Sequence, residues 1–145
     1  MKIPVLVVLL ALCGGCAPQP KVVMVYPNRI EASIGERKAW VRDEKKRDRS
    51  GFDSKYGSVL LAKKIEAKQA MQIGNLFFYS SGQLCGYLGN PRLTDGVWQL
   101  DFSSGLPSPG LPPSGGNPVF VDSRTGEVWQ VGQKRLDALA LLRYE

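Results

Sequence analysis

Residues 118–131, PVFVDSRTGEVWQV, constrain the fold of this chain more than any other stretch. Two runs rich in β-branched and aromatic residues, PVFVD and EVWQV, flank the turn SRTG at residues 123–126. Such runs are strand-like, and Gly126 stands where a hairpin loop of three to five residues needs a positive φ. An antiparallel hairpin is therefore expected. A lone hairpin is marginal in water, so it needs further strands or a covering helix.

Neighbouring stretches offer both. VWQLDF, residues 97–102, alternates Trp98, Leu100 and Phe102 against Gln99 and Asp101, the period of a half-buried strand. LFFYS, residues 76–80, is compact and aromatic and is read as another strand. A last helix is expected from Gln133 to Tyr144, where Leu136, Leu139, Ala140 and Leu142 would cover one sheet face.

Upstream, ERKAWVRDEKKRDRS (36–50) holds seven basic and four acidic side chains in its first fourteen positions. Mixed charges at helical spacing, as Asp43 with Arg47, suit an exposed helix. Trp40 either pins this helix to the core or presents a binding surface, and the area that a Trp buries favours pinning. After Gly51 to Ser54, a second helix is expected from Lys55 to Gln72, with Tyr56, Val59, Leu60, Ala67, Ala70 and Met71 on one face. Lys63 interrupts that face, and Leu61 and Ile65 point elsewhere. The fold class is thus α+β: N-terminal helices packed on a small antiparallel sheet of about four strands, with a C-terminal helix, in one domain over residues 31–145.

SSGLPSPGLPPSGGN, residues 103–117, is too rich in proline and glycine for regular structure. A loop of this length is functional or a spacer. Leu106 and Leu111 are its apolar side chains and count as candidate partner contacts.

The amino terminus reads as an address. Lys2 is followed by an apolar run from Ile3 to Leu12 and by the small residues Gly14 and Gly15, the three parts of a secretory signal peptide. The run is about ten residues, short of the roughly 20 that span a bilayer as a helix. Behind it, residues 16–30 carry prolines at 18, 20 and 27 and read as an extended tether. Val22 to Tyr26 could instead form an edge strand.

LCGGCA, with Cys16 directly behind two glycines, resembles the lipobox of bacterial lipoproteins. Cys13 stands where that family has leucine. The resemblance implies cleavage after residue 15, acylation of Cys16, and anchoring in the lipid bilayer by chains contributing about 0.8 kcal/mol per buried methylene. Ala17 in place of aspartate implies, in a Gram-negative host, the outer membrane facing the periplasm.

A second resemblance covers roughly residues 75–132. Trp98, Leu100, Pro118, Val119, Val121, Asp122, Thr125, Gly126 and Val128 follow a pattern similar to small PepSY-like and cystatin-like α+β domains. NLFFYSS followed by the hairpin is also similar to a family of immunity proteins that neutralise bacterial toxins. These likenesses imply an α+β fold and a binding or inhibitory role.

Chemistry is sparse. The sequence has no histidine, which removes His-based acid/base work and most zinc sites. With Cys13 leaving in the signal and Cys16 acylated, Cys85 is alone and reads as a small buried residue. Asp101 alternates away from its apolar neighbours, and Asp122 is explained by the turn, so no catalytic residue, metal or cofactor is assigned and the chain is not expected to be an enzyme. Removing one lysine with the signal takes the net charge from +6 to +5, a mildly basic balance suited to an envelope partner rather than nucleic acid.

The expected function is a membrane-anchored, non-catalytic envelope lipoprotein acting as a protein-binding or inhibitory module, in its sharpest form immunity-type. The alternative is a structural accessory lipoprotein of an envelope assembly. Cys16 is the candidate lipidation site. Trp129, Leu106, Leu111 and the basic residues Arg37, Lys45, Lys46 and Arg47 are the candidate contacts with an envelope protein.

Overall fold

A computed structural model describes residues 29–83, 86–103 and 116–145. The leader, Cys16, the tether, Val22–Tyr26, Cys85, Leu106 and Leu111 lie outside the described residues.

Three helices come first: α1 (Ile34–Arg47), α2 (Arg49–Leu61) and α3 (Ala67–Tyr79). Ser33 and Glu36 close a capping box on α1: the Ser33 amide donates to Glu36 Oε2 at 2.6 Å and the Glu36 amide to Ser33 Oγ at 3.2 Å. Asp48 ends α1 through its amide and starts α2 through its carboxylate, which accepts from the Gly51 amide at 2.9 Å. A Cβ at residue 51 would overlap that carboxylate, so any other residue there would make the Asp48 side chain shift. The single charged helix expected over 36–50 is therefore two helices, broken at Asp48 by a side chain that caps better than it propagates.

The helix expected from Lys55 to Gln72 is also two. Residues 62–66 separate α2 from α3 and dock on the sheet, the Ile65 amide donating to Ser123 O at 2.9 Å and Trp98 Nε1 to Ile65 O at 2.8 Å. Lys63 falls in this link and is exposed.

LFFYS is not a strand. It forms the end of α3, where Leu76, Phe77 and Phe78 are all buried. Its apolar density comes from the position of α3 between the sheet and α2, with neighbours on several sides.

Among the described residues five strands follow in chain order, each antiparallel to the next: β1 (Tyr87–Thr94), β2 (Val97–Ser103), β3 (Val119–Asp122), β4 (Glu127–Gln130) and β5 (Leu136–Asp137). The α+β class holds, with five strands rather than about four. The β3–β4 hairpin forms as expected, with Gly126 at φ 74° and the Asp122 carboxylate accepting from the Arg124 and Thr125 amides at 2.8 and 2.9 Å. β1 and β2 meet at Asp95–Gly96, both at positive φ as a two-residue hairpin demands. β1 is irregular: its register shifts between Gly89 and Arg92, around Asn90 at φ 49° and Pro91. The last helix, α4 (Ala138–Arg143), is shorter than the expected 133–144 because Leu136 and Asp137 pair with β4.

α3 crosses the sheet on the face of Leu88, Leu100, Phe102, Val119, Val121 and Val128, all buried. The approach is close: a methyl at Gly74 would overlap Leu100 Cδ1 and lie 2.9 Å from Leu88 Cδ1. α4 joins α3, and α1 and α2 pack on these two helices, giving sheet, inner helices and outer helices in turn. Trp40 is partly buried against the core, the pinning role expected of it.

Candidate functional site

Because side chains alternate along a strand, the residues between those core positions share the opposite face of the sheet. Register aligns four of them in one row across the strands: Arg92 opposite Gln99, Gln99 opposite Phe120, and Phe120 opposite Trp129. The row spans about 14 Å at the usual strand spacing. Phe120 and Trp129 are partly exposed, and their rings stack with centroids 5.8 Å apart.

Ion pairs frame the rings. Beyond Trp129, the Arg135 guanidinium lies 4.0 Å from the indole centroid and pairs with Glu127 at 3.2 Å. At the other end, Arg92 pairs with Asp101 at 2.6 Å, and Asn90 donates to the same carboxylate. Asp101 does point away from Leu100 and Phe102, as its place in the alternation predicts. Among the described residues no helix packs on this face, which carries a partly exposed aromatic centre with a charged rim.

Trp129 was legible as a candidate contact, whereas Phe120, Gln99, Arg92 and Arg135 were not. The signal for Phe120 lies in its own strand. Val119 and Val121 point to the core, so an aromatic residue between them points out.

The basic candidates on α1 divide. Lys46 and Arg47 are exposed, Arg47 pairing with Glu44. Arg37 and Lys45 are not surface contacts: they are 3% and 8% exposed. With Val41 they form the buried i, i+4, i+8 stripe of α1. Arg37 Nη1 donates to Phe77 O and to Ser80 Oγ at 2.7 Å, closing the C-terminal end of α3. Its guanidinium also sits 4.4 Å from the Phe77 ring centroid. Lys45 Nζ donates to Leu142 O at 2.9 Å and to Tyr144 O, closing the end of α4. Both cations thus meet carbonyls that a helix leaves unpaired, at the end favouring positive charge. Burial pushes the Arg37 guanidinium down to about 10, with Glu36 acting in the opposite direction, so it stays charged at neutral pH.

Among the described residues, no group of three or more His, Cys, Asp or Glu side chains could hold a metal ion, and no helix is long and apolar enough to cross a membrane. No protein-family model, curated protein or solved structure matches this chain.

Proposed function

We propose that the protein is a membrane-anchored, non-catalytic envelope lipoprotein that binds another protein through the open face of its sheet. The stacked Phe120 and Trp129 within a rim of two ion pairs carry this reading. Protein interfaces pair an apolar, aromatic-rich centre with a polar rim, and Trp and Arg are over-represented among the residues that dominate binding. The lipobox-like leader supports the anchoring half.

The test places a photocrosslinking residue at position 120 or 129 of the full-length chain in its host, with position 42 on the outer helix layer as control. The expected result is one discrete adduct with a single protein from 120 and 129, none from 42, and a mature amino terminus whose mass shows acylated Cys16. Equal labelling from all three positions, or no adduct, overturns the binding reading. An unmodified Cys16 overturns the anchor.

A further inference from the structure

A groove of about 600 Å³ lies between residues 29–34, Phe77 and the stretch from Gly132 to Asp137. This volume falls within the roughly 300–1,000 Å³ of small-molecule sites. Its walls are fastened together, the Ile30 amide donating to Gln130 Oε1 at 2.7 Å and Gln133 Nε2 to Ile30 O at 2.9 Å.

The charges lining the groove are Arg29, Glu31, Arg37, Lys134, Arg135 and Asp137. Arg29 lies 2.7 Å from Glu31, and Arg135 pairs with Glu127. The Asp137 carboxylate accepts from the Ala140 amide as the cap of α4. Glu36, next to Arg37 in the chain, gives its carboxylate to the Ser33 amide. Arg37, the deepest of the cations, has no carboxylate of the described residues within ion-pair distance.

Its hydrogen bonds show which part of the ion is left over. A guanidinium carries five N–H donors. Both described bonds leave from Nη1, toward Phe77 O and Ser80 Oγ, and none leaves from Nε or Nη2. The N–H groups of Nε and Nη2 lie parallel along one edge of the plane, the geometry that takes a carboxylate with two bonds at once. The end of α3 offsets about half a unit of the charge and the Phe77 ring lies 4.4 Å from it, but no carboxylate of the described residues balances the rest. Ile30, Phe77 and Leu136 add apolar wall to the same groove.

We propose that this groove binds an organic carboxylate with an apolar body, its two oxygens on the Nε–Nη2 edge of Arg37 and Lys134 attracting it at the surface. A single negative charge suits the site, since Arg29 and Arg135 already face Glu31 and Glu127 and a second charge would rest mainly on exposed Lys134. This site rests on Arg37 and Lys134 rather than on Phe120 or Trp129, and shares only Arg135 with the sheet face.

The probes are octanoate, 1-octanol and inorganic phosphate, added to the full-length mature protein while the Arg37 Nε–Hε resonance and the Ile30 and Leu136 amides are followed by NMR. Octanoate at about 10 mM, enough to fill even a millimolar site, should shift all three saturably, with octanol and phosphate giving little. Arg37→Lys keeps the charge and loses the fork, and should weaken octanoate at least about tenfold. Lys134→Ala, at an exposed position with no fold role, should weaken it about threefold, the loss shrinking as salt is raised. No saturable shift in the wild type, a stronger response to phosphate or octanol, or unchanged affinity in folded Arg37→Lys would each overturn the proposal.

Discussion

Arg37 and Lys45 lie on one face of α1 and close the C-terminal ends of two different helices, α3 and α4. α1 is held to the fold by cations at the two ends of its buried stripe, with Val41 between them. Truncating one of these cations strands carbonyls that water does not readily reach. Lys45→Met, which keeps the apolar stem, should therefore cost about 1–3 kcal/mol, read as a lower urea midpoint at unchanged slope. A change within error would mean that Leu142 O and Tyr144 O are solvated without it.

Gly74 is where α3 comes closest to the sheet. Alanine there gains about 1 kcal/mol of helix propensity but must displace Leu100 and Leu88 in a filled core. Overpacking costs about 1–3 kcal/mol, so Gly74→Ala should be net destabilising by about 1 kcal/mol in urea unfolding. Gly57, where an added Cβ meets nothing within 4 Å, should tolerate the same change or gain from it.

The Tyr56 hydroxyl is buried and has no hydrogen-bond partner among the described residues, and burial, with the charges of Tyr79 and Glu44, pushes its ionisation up. Its ring packs 4.9 Å from that of Phe52. Tyr56→Phe keeps the ring and removes the unmet donor, so it should raise stability by about 1 kcal/mol. A loss of stability in thermal unfolding would reveal a partner for the hydroxyl.

Much of the architecture could be read from the sequence, and the misses have physical causes. The β3–β4 hairpin and β2 carry their periodicity in the residues themselves. β1 does not, because Gly89, Asn90 and Pro91 break its alternation, although Asp95–Gly96 just after it is a strong hairpin signal. LFFYS mimics a strand because α3 is buried on several sides. The stripe Arg37, Val41, Lys45 looks like a solvated face, since nothing local distinguishes a cation that caps a distant helix from one in water. Ser33 and Glu36, by contrast, spell a capping box that marks the start of α1.

Acid should act through carboxylates that the fold holds ionised. Asp122 is held below its usual range chiefly by the Thr125 amide, against some desolvation and with help from the Arg124 amide. Glu36 is lowered by Ser33 and Glu145 by Arg49. A lowered pKa in the folded state gives stability that is present above the unfolded value of about 4 and lost as pH falls through the folded one. With no histidine in the chain, the urea midpoint should be flat from about pH 5 to 8 and decline below about 4. Asp122→Asn should lessen that decline. A step near pH 6 would contradict this assignment.

The two faces of the sheet should respond differently to truncation. Phe102, buried and edge-on to Phe78 at 5.6 Å, should cost about 3–5 kcal/mol as alanine. Trp129→Ala, at a partly exposed position, loses its stacking on Phe120 and its contact with Arg135 and should cost about 1–2 kcal/mol. Equal losses would show that the outer face is also core.

The bulge and proline of β1 bear on whether copies of this protein can join sheet to sheet. Among the described residues β1 and β5 are the margins of the sheet. One is interrupted at Gly89–Arg92 and includes a residue with no amide hydrogen, and the other is a two-residue stub. Neither gives a neighbouring chain a continuous ladder to extend, the route by which sheets grow into filaments. The described edges of the sheet therefore disfavour growth by strand addition and leave its face as the surface for contact.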